Sequence, residues 1–492
     1  MSSQPPMTDT AVSSNPGLKG FLQRHSLLLL FVLAFLIRLI YNLVLLAPTV
    51  RNWDAADYDI LALRLAQGHG FSYLDGVLTA SRAPLFPMFI ALFYLIFGRS
   101  LIITAIVQAI IGALAAPLAA VYTRQVIQKH GAGVLAGVIF SIYPAFIDVG
   151  STLLSEPLTI VLILVTGVLL EYGRGKSLWI AALAGVFLGL VVLSRPNLVP
   201  LLVLFPLRYL GRREGWRKAL GSLLVAGAAM VLVLAPWTIR NYQVFHQPVF
   251  ISVQGGQTFW RYGHHLDMLD DSPSSPFPRA ETASVKEWIS SQGPAELYLP
   301  IFSQGNLFYA RGYGWDFYRR FEGLNDAQAD ALFYKLGWQF CAEHPGLALL
   351  VSAKNALRFF TPIVEQNVTR FAQDPYDVAW GMLLPLWALS WAWWLRGRRR
   401  EFLWAWGTTG IVFLSCVIFM VIARYRLPGE VMMIPVAAAG IHQVWQEGKR
   451  RFILIPVCIL LALNIIAATQ VQTISAWLNL HGSQLVGVKT TE

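Results

Sequence analysis

Charge is scarce in this chain of 492 residues. Asp, Glu, Lys and Arg together make up 13%, about half of the ~25% that keeps a soluble domain in solution. Cysteine is nearly absent: Cys341, Cys416 and Cys458 are far apart, and two of them lie in apolar runs. That spacing supports neither a disulfide framework nor a zinc site. No phosphate-binding P-loop, GxGxxG turn, CxxC pair or Ser-His-Asp order occurs, so nucleotide hydrolysis as an energy source has no support. Internal repeats and heptad runs are also missing.

What the chain has is hydrophobic length. Its mean hydropathy is +0.54 and 56% of its residues are apolar. Leu27–Ala47 is a near-continuous apolar run of about the 20 residues that cross a bilayer. Comparable runs cover 101–122, 133–148, 157–170, 178–194, 219–236, 378–395, 402–423, 429–445 and 452–469, with a shorter proline-bounded run at 198–207. By the span-length criterion the total is about eleven. The expected fold is therefore an all-α polytopic membrane protein with a smaller mixed or helical extracytoplasmic domain. The first run follows Lys19, Arg24 and His25, and Pro48 stands just beyond it. It is too long for a cleaved leader and is expected to stay as a signal-anchor.

The formal charge is +11, which in a soluble protein would raise the question of nucleic acid. Here the excess sits in short loops. Lys19/Arg24, Arg124/Lys129, Arg174/Lys176, the Arg208–Lys218 group, Arg396–Arg400 and Lys449–Arg451 mark cytoplasmic sides by the positive-inside rule. That assignment gives a cytoplasmic leader at 1–25 and a transmembrane module at 26–236, whose first outer loop is 49–100. Within that loop, 83–97 is an apolar helix on the outer leaflet, too short to cross. An extracytoplasmic domain at 237–376 ends in an interfacial helix carrying Lys354 and Arg358. The last spans and a short tail occupy 377–492. Any site is expected on the extracytoplasmic face.

Polar groups that break this pattern are the candidate site, because charge at a membrane is costly and usually has a job. In Trp53-Asp54-Ala55-Ala56-Asp57-Tyr58-Asp59, helical spacing puts Asp54, Asp57 and Tyr58 on one face. Asp54 could merely cap the helix, or serve as a general base at the membrane surface. Ser155-Glu156-Pro157 reads either as a helix start or as a second acidic position. Asp148 reads as a solvated helix end. Arg82, Arg195, and Arg424 and Arg426 in the short outer loop Arg424-Tyr425-Arg426-Leu427-Pro428 oppose the positive-inside bias. Snorkelling accounts for any one of them, but together they suit a phosphate gripped by guanidinium groups. Arg240 and Asn241 follow the aromatic anchor Trp237 and lead to Ser252-Val253-Gln254-Gly255-Gly256-Gln257, a Gly turn. His264-His265 lacks an acidic partner at ligand spacing, so no metal site is assigned, although a divalent metal requirement stays open. Arg38, inside the first run, is expected to snorkel or pair internally.

The order WDAADYDILALRLAQGHGF (53–71), RAPLFPMFIALFYLIFG (82–98), LLSEPL (153–158), LSRPN (193–197), APWTIRNYQVF (235–245), ISVQGGQTFW (251–260), EHPG (343–346) and RYRLP (424–428) resembles the polyprenyl-phosphate-dependent glycosyltransferases of the GT-C superfamily. The likeness is to their protein-mannosyltransferase and lipid A aminoarabinose-transferase branch in bacterial form, glycosyltransferase family 39 type. The resemblance implies an inverting transfer from a polyprenyl-phosphate sugar to a glycan, lipid or protein acceptor, without a cofactor. It implies Asp54 as base or acceptor-orienting group; Ala55 stands where the family often has a second acid, so that either Asp57 compensates or the acceptor needs less help. It places Glu156 at the second acidic position. Tyr58, Arg82, Arg195, Arg240, Arg424, Tyr425 and Arg426 would then face the substrates. Two other readings stay open. One is a polymerase or ligase using a lipid diphosphate, with Asp54 dispensable. The other is a flippase or transporter, which would place its polar groups on broken midplane helices.

Overall fold

The computed structural model describes residues 18–45, 53–74, 77–173, 178–210, 215–260, 324–343, 345–360, most of 380–390, and 402–448, with two isolated positions beyond. The protein is helical, with one two-stranded ribbon among the described residues.

Helix α1 (Leu18–Ile40) continues as a π-helical turn through Leu45. Ser26, Leu30, Ala34, Arg38 and Asn42 are buried, a strict four-residue repeat that lies on one helix face. Leu28, Leu29, Val32, Leu33, Leu36 and Ile40 are exposed. A soluble helix would reverse this arrangement; a lipid-facing one turns leucine outward and keeps its polar groups inside. The buried stripe packs on α4 (Leu101–Ile127) and α5 (His130–Ile142).

Arg38 shows why. Pro144 ends α5 and has no N–H to give the carbonyl of Phe140. Arg38 supplies the missing donors, reaching Phe140 O at 3.1 Å and Ser141 O at 3.2 Å. Gly112 makes the room, since a Cβ there would lie 2.9 Å from Arg38 Nε. The internal pairing expected of Arg38 is thus to backbone, not to an acid.

After α5 come α6 (Pro144–Val149), α7 (Glu156–Tyr172) and α8 (Leu178–Ser194). Helix α7 packs between α4 and α8, and α8 packs extensively on α10 (Trp216–Phe245). Gly185 sets that last approach: a Cβ would stand 2.3 Å from Ala226 O. Small residues permit such close packing where lipid supplies no hydrophobic drive. Between α8 and α10, the run expected as a span at 198–207 forms a 3₁₀ helix, Pro196–Val203, followed by the short α9 (Leu204–Leu210). Pro196 and Pro200 lack the donors an unbroken α-helix needs there.

The segment after α1 holds α2 (Trp53–Ala66), a ribbon of β1 (Ser72–Leu74) and β2 (Val77–Leu78), and α3 (Leu85–Phe97). Helix α3 buries Phe86, Ile90 and Tyr94 while Leu92, Leu95 and Ile96 stay exposed. Beyond α10 come the single turn α11 (Gly255–Thr258), α12 (Asp326–Glu343) and α13 (Pro345–Phe360). A reciprocal box starts α12: Gln328 N donates to Asn325 Oδ1 and Asn325 N to Gln328 Oε1, both at 2.9 Å. The last described pair is α14 (Leu403–Ile418) and α15 (Ala423–Gln446).

Three described helices are long and apolar enough to cross a membrane: Gln23–Val44, Leu101–Ile127 and Trp216–Phe245. The other apolar helices are shorter, α5 because Pro144 stops it and α14 because the chain breaks before Ala423. The run at 452–469 and much of 378–395 lie outside the described residues.

Candidate functional site

Arg82 is the hub. It follows the ribbon and stands just before α3, and its guanidinium meets three partners. Its Nη2 lies 2.6 Å from Asp54 Oδ1 and 2.5 Å from Asp57 Oδ2. Its Nε reaches Asp57 Oδ2 at 2.9 Å and its Nη1 donates to Gln254 Oε1 at 3.1 Å. The acids converge because α2 begins at Trp53, putting Asp54 in its first turn and Asp57 three residues on, over one face. Burial works against the charge on Arg82, but Asp57 and the neighbouring tyrosines hold it protonated, above the ordinary range for arginine.

Asp54 has a second cation. Arg424 pairs with its Oδ2, so the two carboxylate oxygens go to two guanidiniums on separate elements. The Arg424 guanidinium also sits over the Tyr425 ring at 5.3 Å, and Arg195 lies over the same ring at 5.4 Å. Arg195 in turn pairs with Glu156 Oε1. Glu156 is 1% exposed, and its Oε2 and the Arg195 Nε have no hydrogen-bond partner among the described residues. Tyr58 forms a second bridge between the halves. Its ring packs edge-on against Phe86 at 5.1 Å, with Arg82 5.7 Å from its centroid and its hydroxyl near the Ser155 side chain. Burial pushes that hydroxyl above its usual range, so it stays protonated.

The turn before Glu156 is built, not loose. Asn42 donates to Ala105 O and Gly150 O, and Gln108 to Thr152 O and Leu154 O, all at 2.9–3.1 Å. Thr159 and Ser194 share a 2.6 Å hydrogen bond that sets the α7 start beside the α8 end. Asp148, expected as a solvated end, is half-buried and accepts from Tyr41 at 3.0 Å.

Two expected members lie elsewhere. The segment 424–428 is the start of α15 and not a loop, so residues two apart point about 200° away from one another. Arg424 faces Asp54, whereas Arg426 is fully buried. It donates to Phe359 O at 3.3 Å, stacks on Trp380 at 4.7 Å and lies 3.4 Å from Glu430. It fixes α13 to α15. Arg240 donates to Thr79 O at 2.7 Å and Phe71 O at 3.3 Å, over the Trp237 ring at 4.8 Å. Those contacts pin the ribbon to α10. His264-His265 lies outside the described residues, and no three metal-ligating side chains gather among the described ones.

Residues 81–239, which include Arg82, Glu156 and Arg195, match the model of a family described as dolichyl-phosphate-mannose-protein mannosyltransferase. Among solved structures, the archaeal oligosaccharyltransferase AglB of Archaeoglobus fulgidus, in complex with an inhibitory peptide and a dolichol-phosphate, superposes with a TM-score of 0.52 at 15% identity. The alignment covers 90% of this chain and 56% of that one. The chain shares its fold with this oligosaccharyltransferase. The same oligosaccharyltransferase tethered to an acceptor peptide gives 0.51 at 15% identity, covering 93% of this chain and 55% of its own. This chain thus spans just over half the length of those relatives. ArnT of Cupriavidus metallidurans bound to undecaprenyl phosphate gives 0.39 at 12% identity over 86% of this chain and 78% of its own, a superposition too loose to argue from. No curated protein sequence matches this chain.

The sequence alone did not mark Gln254 and Ser155 as members of this site. Gln254 stood inside a stretch read as a Gly turn, and Ser155 inside one read as a helix cap. Nothing local tells that the first reaches Arg82 across 172 positions.

Proposed function

We propose that the protein transfers a sugar from a polyprenyl monophosphate to an acceptor hydroxyl at the extracytoplasmic face of a bacterial inner membrane, through about eleven spans in all. The observation that carries this reading is Asp54 held between Arg82 and Arg424, with Arg424 linked through the Tyr425 ring to the Arg195–Glu156 pair. One carboxylate thus stands beside a row of guanidiniums. A sugar monophosphate needs little protonation to leave, because the departing group is already an anion. It needs positive charge facing the oxygen that gains electrons. Arg424 and Arg195 supply that charge in a partly buried setting, where it is worth more than in water.

In the proposed step the acceptor oxygen bonds to the anomeric carbon as the bond from that carbon to the phosphate oxygen breaks. The polyprenyl phosphate leaves with the electron pair, and Asp54 takes the hydroxyl proton. A single displacement of this kind inverts the anomeric centre. Asp57 acts through Arg82, which it orients, and Tyr58 keeps α2 against the turn that carries Glu156. The match of 81–239 to a mannosyltransferase family and the dolichol-phosphate held by AglB support a lipid-phosphate donor.

The test is a deletion strain complemented with wild type or Asp54→Ala, its glycolipids and surface glycans compared by mass spectrometry. The variant should reach the membrane in normal amount and leave the product missing. Full product would remove Asp54 from the role of base. Loss of product in Arg424→Ala with full product in Asp54→Ala would favour a ligase using a lipid diphosphate.

A further inference from the structure

The two oxygens of Asp54 are held very unequally. Oδ1 goes to Arg82, whose guanidinium is also tied to Asp57 through two nitrogens, to Gln254, and to the Tyr58 ring face. Arg82 is 13% exposed and cannot turn away without breaking all of these contacts together. Oδ2 goes to Arg424, whose side chain is 20% exposed and whose one carboxylate partner among the described residues is Asp54. Its other contact is the Tyr425 ring, which a guanidinium can keep while rotating. A carboxylate oxygen whose charge is spent on a guanidinium is a poor acceptor for a hydroxyl proton. As it stands, the base is blocked by the very cation assigned to the phosphate.

We infer that Arg424 is shared between Asp54 and the donor phosphate, so that donor binding draws Arg424 off Oδ2 and frees the base. The inference rests on the functional reading above and adds an order to it: donor first, acceptor second. A phosphate dianion or monoanion competes well for arginine because the guanidinium fork fits two of its oxygens. When Arg424 moves, Arg82 keeps Oδ1 in place, so the freed Oδ2 stays oriented toward the row of cations where the anomeric carbon must lie. Without donor the pair re-forms, and the base is masked against water and stray hydroxyls.

Competition makes a prediction opposite in sign to that of a simple supporting role. Removing the charge of Asp54 should improve binding of the lipid phosphate, since Arg424 no longer has to be taken from a rival. The probe is undecaprenyl phosphate, titrated into the purified full-length protein in detergent. Asp54→Asn should bind it roughly fivefold more tightly than wild type, the worth of a partly exposed ion pair. Arg424→Ala should bind it roughly tenfold more weakly, as expected for a lost charge-assisted contact. In the Arg424→Ala background, adding Asp54→Asn should change affinity by less than twofold, as a double-mutant cycle requires of a shared partner. Should Asp54→Asn fail to fold, Asp54→Ser carries the same expectation.

Equal or weaker binding by a folded Asp54→Asn overturns the inference. So does a fivefold gain that persists without Arg424, because general relief of negative charge would then explain it. The two claims fail separately. Tighter binding with full product would sink the base while keeping the competition. Unchanged binding with no product would keep the base and end the competition.

Discussion

Helix α12 should grip the membrane module more tightly as the pH falls. Asp326, in its first turn, accepts from Thr79 Oγ1 at 2.5 Å and from Ala80 N at 3.3 Å. Asp330, one turn on, accepts from Gly256 N at 2.8 Å. The two acids therefore clamp both segments that flank Arg82: the stretch running into it and the turn that carries Gln254. A Cβ on Gly256 would lie 2.2 Å from Asp330 O, so that contact is backbone on backbone. Burial pushes each carboxyl up from 3.8 to about 6, against the pull of its hydrogen bonds and, at Asp326, of Arg240. Asp326 Oδ1 is buried with no hydrogen-bond partner among the described residues, a natural seat for the proton.

The folded value stands above the unfolded one, so the docked form takes up the proton first. The stabilisation is fully present below pH 4 and is lost as pH rises through about 6. For Asp326, lowering pH from neutral to 5 should add about 1.4 kcal/mol, or tenfold in the opening equilibrium. Asp330 is less enclosed and should add less. Hydrogen exchange by mass spectrometry, corrected for intrinsic rates, reads this out in peptides spanning 72–80 and 326–343. Protection should rise by more than tenfold between pH 7.5 and 5. The double variant Asp326→Asn, Asp330→Asn should be flat with pH. Protection that falls on acidification, or rises equally in the double variant, would refute the argument.

Two other outcomes follow from the same contacts. Glu156→Gln leaves Arg195 buried with no counter-charge and should cost about 3 kcal/mol, read as a lower thermal midpoint in detergent. Gly185→Ala drives a methyl into the α10 backbone at Ala226 and should cost about 1–3 kcal/mol. Gly221→Ala, where the nearest atoms stand 3.7 Å away, should be tolerated in the same assay.

Much of this was legible in the chain because hydrophobic length is a local property. The runs that became α1, α4, α7, α8 and α10 announce themselves, and so does the face shared by Asp54, Asp57 and Tyr58. The Asn325-Asp326 cap is a local signal of the same kind, and α12 starts there. What failed was the reading of a short stretch between two apolar runs. Residues 424–428 read as a loop, but α15 begins at Ala423 and carries Pro428 within it. That single change moves Arg426 from the site into the core. Arg240 misled for another reason: a polar group breaking a membrane pattern can serve backbone as well as substrate, and here the ribbon's carbonyls claim it. The contacts of Thr79 with Asp326 and of Arg82 with Gln254 span 247 and 172 positions. No periodicity encodes such distances.

The most direct measurement is a single-turnover experiment in native membranes loaded with labelled polyprenyl-phosphate sugars, comparing wild type with Asp54→Asn. Wild type should consume donor and release polyprenyl phosphate in step with label appearing in product. The variant should hold the donor and leave it intact. Donor consumed at the same rate by both would contradict the assignment of Asp54 as the group that takes the acceptor's proton.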